Sequence, residues 1–240
     1  MKKMLGIILL SLLLAIAASS VYARERANIY LIDVSSSVSD CEDIMVKNMK
    51  ALRQDIEGID KNDRVIAFAF GYKGKPALIV NETMPPKRGG GGRLIAQKKS
   101  EVLKAISGFL KDFKKTLDDT ATDIVGAIKE CAIIRSDLKD NYDVRLLVFS
   151  DGQQTVGLDV HSIKDMTTIS EYISSLQKYL QGKKMDGIRG VDVIFYGDSC
   201  SIKNITHGDF ANLQGGIKQV WKGYFSEQGV NSIDYRLLYK

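Results

Sequence analysis

Four short apolar runs constrain this 240-residue chain more than any other feature. They lie within Ile29–Val38, whose apolar part ends at Asp33, and in Arg64–Phe70, Val144–Phe149 and Val191–Tyr196. Near-continuous apolarity over so few residues marks strands buried on both faces, the condition of a parallel sheet covered by helices. The segments between them carry the helical period instead. Ile44, Met45, Met49, Leu52, Ile56 and Ile59 recur at helical spacing and end near Gly58. Val102, Leu103, Ile106, Phe109, Leu110 and Phe113 line one side of a helix expected from Leu94 to about Leu117, weakened locally by Gly108. Further helices are expected over Ile124–Ile134, Met166–Leu180 and Phe210–Phe225, and a last strand over Ser232–Tyr239. Gly71–Pro76 turns the chain sharply, so Ala77–Val80 returns as a short antiparallel edge strand. Asn81–Arg93, with Pro85-Pro86 and Gly89–Gly92, reads as linker. Its glycines lack the Lys-Ser/Thr that a phosphate-binding loop requires. Strands alternating with helices imply βαβ units and a mostly parallel sheet with one antiparallel edge and helices on both faces, in an α/β class.

In open sheets of this kind ligands bind outside the carboxyl ends of the strands. Asp33 stands at one such end, with Ser35 and Ser37 following at alternate positions, and Asp151 stands at another in Ser150-Asp151-Gly152. Carboxylates and hydroxyls together make a hard-oxygen ligand set suited to Mg²⁺, Mn²⁺ or Ca²⁺. Alternation turns Ser36 away from Ser35 and Ser37. Zinc-type chemistry has little support, because His161 and His207 are far apart and unaccompanied by Cys at ligand spacing.

The chain opens on a targeting pattern. Lys2 and Lys3 precede the apolar stretch Leu5–Ala18, and Val21-Tyr22-Ala23 forms a small-x-small cleavage signal. A signal peptide over residues 1–23 is expected, cleaved after Ala23, with one domain over 24–240 and a periplasmic or secreted location. The apolar stretch is short for a membrane span. Formal net charge is +5, and losing Lys2 and Lys3 leaves it only mildly basic. The Lys pairs are spread over expected helix faces and turns, which argues against a nucleic-acid partner. Export permits disulfides, but Cys41, Cys131 and Cys200 are an odd set. Cys131 falls at helical spacing from Ile124 and Ile128 and reads as a core thiol. Cys41 and Cys200 both follow expected strand ends on one side of the sheet; free thiols are the preferred reading over a bridge. Trp221, Tyr224 and Phe225 are expected as core anchors.

Three separated segments resemble the von Willebrand factor A family, which includes the inserted domain of integrins. They are Asp33-Val34-Ser35-Ser36-Ser37, Thr122-Asp123-Ile124-Val125-Gly126-Ala127-Ile128 and Val148-Phe149-Ser150-Asp151-Gly152. The resemblance implies a Rossmann-like, doubly wound fold and a metal-ion-dependent adhesion site. In it Ser35, Ser37 and Thr122 would supply hydroxyl ligands, and Asp33 and Asp151 would hold the ion directly or through water. It also implies Mg²⁺, with Mn²⁺ or Ca²⁺ as alternatives, and a protein partner offering an Asp or Glu carboxylate. The resulting function is a non-enzymatic one in a cell-envelope, adhesion, or secretion or transfer assembly. Thr122 is preferred over Thr120 because the following Asp-Ile and Gly-Ala-Ile fit the family pattern. Asp119 and Asp123 are expected as first-turn acids facing water. Unlike integrin-type domains, this chain shows no long helix after its final strand, which leaves a terminal-helix affinity switch without an obvious carrier.

Two rival readings remain. Gly197-Asp198-Ser199 is similar to the nucleophile motif of SGNH esterases, with His207 downstream. That family places the motif near its start and an Asp three residues before the His, where this chain has Asn204. The other rival is a structural subunit whose metal only holds loops in place.

Overall fold

The structure is a computed structural model and describes residues 24–39, 42–71, 75–86, 91–113, 122–138, 142–158, 166–197 and 206–237. The expected leader, Cys41, Cys200, Thr120, His161, Ser199 and the side chain of His207 lie outside the described residues. Six strands form one sheet: β1 (Glu25–Asp33), β2 (Arg64–Phe70), β3 (Ala77–Thr83), β4 (Tyr142–Ser150), β5 (Asp192–Gly197) and β6 (Ser232–Arg236). Their order across the sheet is β3-β2-β1-β4-β5-β6. All neighbours run parallel except β2 and β3. This is the doubly wound order, whose switch point falls between β1 and β4, where the crossovers leave in opposite directions.

Among the described residues five helices cover the sheet: α1 (Glu42–Glu57), α2 (Gly91–Phe113), α3 (Ile124–Asp137), α4 (Met166–Gln181) and α5 (His207–Glu227). A single helical turn, Ser36–Ser39, precedes α1. The alternation of β1 explains why its middle, Ile29–Ile32, is apolar without a break. Ala27, Ile29 and Leu31 enter one core with residues of α3, α4 and α5, whereas Tyr30 and Ile32 enter a second core with residues of α1 and α2. Trp221, Tyr224 and Phe225 are buried in the first core, as is the free thiol of Cys131, whose pKa burial raises. Among the described residues no helix is long and apolar enough to cross a membrane.

Element boundaries differ from expectation mainly at the ends. The edge strand β3 extends to Thr83, where Asn81 accepts from Arg64 Nε at 2.9 Å. Helix α2 starts at Gly91, so part of the glycine run is its first turn. The last strand stops at Arg236, short of the expected Tyr239.

Candidate metal centre

The motif after β1 folds back on its own carboxylate. Ser35 N donates to Asp33 Oδ1 at 2.9 Å, and the Ser35 and Ser37 hydroxyls lie 3.1 Å apart. Val34 N donates to Phe70 O at 2.8 Å, which keeps this loop against the end of β2. The neighbour there has to be glycine. Gly71 has φ +110°, and a Cβ on it would stand 2.5 Å from Ser35 N and 2.6 Å from Asp33 Oδ1.

From β4, Ser150 Oγ donates to Asp33 Oδ2 at 2.6 Å, and Gln153 N donates to Asp151 Oδ1 at 2.9 Å. Asp151 Oδ2 is buried with no hydrogen-bond partner. Both carboxylates are fully buried, at 0% exposure. Burial is the main reason that Asp33 is pushed up to about 6, with the bonds from Ser150 and Ser35 opposing it. Asp151 is pushed up to about 7, first by burial and then by the charge of Asp33, while Ser37 among others draws it down. No Lys, Arg or His contributes at either acid. Two acids thus share a buried corner of the switch point with no positive side chain acting on them among the described residues.

Thr122 reaches the same pole through its backbone. Its N–H donates to Thr155 Oγ1 at 2.7 Å, and its carbonyl accepts from Thr155 N at 2.9 Å and Val156 N at 3.2 Å. The segment that leaves Asp151 is therefore tied to the one that opens α3. The Thr122 side chain is buried and makes no hydrogen bond to either carboxylate. Asp33, Ser35 and Ser37 are joined by hydrogen bonds, and Asp151 feels both Ser37 and the charge of Asp33; the Thr122 segment is tied to the chain after Asp151 without its hydroxyl joining them.

Asp123 corrects an expectation. It does not stand in water as a first-turn acid but caps α3, its Oδ1 accepting from Gly126 N at 2.9 Å and from Gln154 Nε2 at 3.0 Å. Gln154, fully buried, also accepts from Ile124 N at 2.7 Å and Val125 N at 3.2 Å and donates to Val156 O at 2.9 Å. It satisfies helix-end donors from 30 residues away in sequence. Sequence reasoning overlooked Gln154, Ser150 and Gly71. Only Ser150 carried a local signal, as the residue between a buried strand and Asp151.

The donors present fit a hard divalent cation: two carboxylates, one with an unpartnered oxygen, and two serine hydroxyls within hydrogen-bond distance of each other. Among the described residues no three His, Cys, Asp or Glu side chains are grouped to hold a metal ion, so the hydroxyls would have to complete any shell here.

No protein-family model matches this sequence, and no curated protein matches it. Solved structures similar to it include the conserved hypothetical protein BatB from Bacteroides thetaiotaomicron, at 14% identity and a TM-score of 0.45, covering 88% of this chain and 90% of that one. A von Willebrand factor type A protein from Catenulispora acidiphila matches at 10% identity and a TM-score of 0.47, covering 86% of this chain and 42% of that one. The D319A mutant of the PilB minor pilin from Streptococcus sanguinis matches at 11% identity and 0.46, covering 88% and 57%. At these scores the likenesses assign neither family nor function.

Proposed function

We propose that this chain is an exported von Willebrand factor A-type domain that binds a protein partner through a divalent cation, without catalysing a reaction. One observation carries the reading: Asp33 and Asp151 are both fully buried at the sheet's switch point, and Asp151 Oδ2 has no hydrogen-bond partner among the described residues. A bound Mg²⁺ or Mn²⁺ would neutralise the pair and offer an open coordination position to an Asp or Glu of the partner.

The chain's own residues prepare for that role. Asp33 and Asp151 supply the charge, and Ser35 and Ser37 add neutral oxygens that leave the ion more electrophilic than a ring of carboxylates would. Thr122 lies in the segment held beside Asp151 and is assigned the third hydroxyl, which it reaches by turning its side chain toward the acids. Ser150 and the Ser35 N–H fix the orientation of Asp33, so the pair is aimed before any ion arrives. Ser37 is exposed while Ser35 is buried, so the cluster opens to solvent on the Ser37 side. The leader-like pattern of Lys2, Lys3 and Leu5–Ala18 supports a periplasmic or secreted location.

Calorimetric titration of Mg²⁺ and Mn²⁺ into the protein and into Asp33→Ala tests the metal. Saturable binding by the parent alone is expected, and equal binding by both sinks the assignment. Capture of partners from an envelope extract, with and without EDTA, tests the function. A partner that stays bound in EDTA leaves the fold but removes the mechanism.

A further inference from the structure

Trp221, the chain's single tryptophan, lies on α5 at 0% exposure. Its ring packs against Phe195, Tyr224 and Phe225, with centroids 5.8, 5.8 and 5.9 Å away. Packing alone accounts for a buried indole, but not for where its polar edge goes. Nε1 donates to Gly152 O at 2.9 Å, and Gly152 is the residue after Asp151. Gly152 has φ +77°, and a Cβ there would stand 2.6 Å from Ile217 Cγ2, one turn before Trp221 on the same helix. This close fit lets α5 grip the turn that presents Asp151.

The grip continues to the other acid. Gly152 N donates to Ser150 Oγ at 3.1 Å, and Ser150 Oγ donates to Asp33 Oδ2 at 2.6 Å. A buried line of hydrogen bonds therefore runs Asp33–Ser150–Gly152–Trp221, joining the ends of β1 and β4 to the middle of α5. Gly152 N and Gly152 O belong to successive peptide groups, so the line is a mechanical link through the backbone of the turn.

We propose that Trp221 is a positioning residue for the cation site, holding the Ser150–Gly152 turn through Gly152 so that occupancy of the site is transmitted to α5 and read at the indole. This rests on the cation reading above. Asp33 accepts from Ser150 and Asp151 lies between Ser150 and Gly152, so an ion that engages both acids acts on this turn, and the indole N–H is bonded to the turn's own carbonyl. The coupling runs through the helix that precedes β6, so it needs no helix beyond the final strand.

A merely structural Trp221 would also hydrogen-bond some carbonyl, so the test reads the indole as the ion binds. Mg²⁺ and Mn²⁺ are titrated in parallel by calorimetry and by Trp221 emission, with the diamagnetic Mg²⁺ taken for the emission because Mn²⁺ can quench without coupling. The emission change is expected to saturate at the calorimetric dissociation constant. Trp221→Phe keeps the ring packing and loses the N–H, and it should bind Mg²⁺ about fivefold more weakly, the size of one hydrogen bond's net contribution. Ser150→Ala keeps the reporter and cuts the arm from Asp33, so its emission response at saturating Mg²⁺ should be diminished; this decides the matter even where Trp221→Phe fails to fold. Ion binding with silent emission, with an undiminished response in Ser150→Ala, or with unchanged affinity in a folded Trp221→Phe overturns the inference and leaves the cation reading standing. No ion binding by calorimetry overturns both.

Discussion

Strands β1 and β4 border two acidic sites, a half-buried one at Asp55 of α1 and a buried one at Asp33 and Asp151, and the chain treats them in opposite ways. Where Asn28 pairs in register with Arg145, Arg145 Nη1 donates to Asn28 Oδ1 at 3.0 Å and Nη2 donates to Asp55 Oδ1 at 2.9 Å. Tyr30 Oη completes that cluster, donating to Asp55 Oδ2 at 2.6 Å. Each oxygen of Asp55 thus has a donor, one of them a guanidinium. Farther along the same strands, at their carboxyl ends, Asp33 and Asp151 are fully buried with hydroxyl and amide donors only. A fold able to place an arginine beside one acid places no basic side chain of the described residues beside the other two. Burying a charge without a counter-charge is expensive, and the raised pKa values of Asp33 and Asp151 express that expense. The first cluster is complete as it stands, whereas the second gains most from a cation supplied by the surroundings.

The largest effect should separate the clusters outright. Asp33→Ala and Asp151→Ala are each expected to weaken Mg²⁺ binding by more than about 100-fold, as loss of a charged ligand does, while Asp55→Ala leaves it within about twofold. Calorimetry measures all three, and a comparable loss in Asp55→Ala would erase the distinction.

The second effect is on pH. Both acids hold protons more tightly in the folded chain, at about 6 and about 7, than at the unfolded value of 3.8. The folded state therefore binds more protons, and the metal-free protein gains stability as pH falls from 7 toward 4 and loses it as pH rises through the folded values. Thermal melts in EDTA should give a Tm higher by about 3–8 °C at pH 5 than at pH 8 relative to Asp151→Asn, in which the repulsion is gone. Saturating Mg²⁺ should reverse the trend, since the ion competes with the protons. A difference between wild type and Asp151→Asn that does not change with pH would show that the pair is not under strain.

Third, Asp55→Ala should destabilise the fold by about 1–3 kcal/mol, because it strips a largely buried Arg145 of its carboxylate. Denaturant unfolding measures it. The smallest effect belongs to Ser37→Ala at the exposed side of the candidate site, where Mg²⁺ affinity should fall by about three- to tenfold, since only a neutral ligand or its hydrogen bonds are lost. A loss as large as that from Asp33→Ala would make Ser37 an equal of the acids.

Asp33, Ser35, Ser37 and Asp151 were legible from their places at the ends of apolar runs, because a strand and the residue that ends it are local features of a sequence. Thr122 was legible only through resemblance, and the structure puts its segment, not its hydroxyl, against the others. Asp123 was misread because its position in a first turn is local, whereas its second partner, Gln154, is 31 residues away. Gly71 had no signal in its own neighbourhood, since the atoms that exclude a side chain there belong to the loop after a different strand.

By itself the sequence determined the α/β class, the succession of strands and helices, the antiparallel edge and which acids stand at strand ends, since hydrophobic periodicity is written residue by residue. Only the tertiary structure decided that β4 lies beside β1, that Ser150 reaches Asp33 across 117 residues and that Trp221 reaches Gly152 across 69. The reason is physical. Period and propensity act within a few residues, but a hydrogen bond between strand ends exists only once the crossovers have chosen which strands are neighbours.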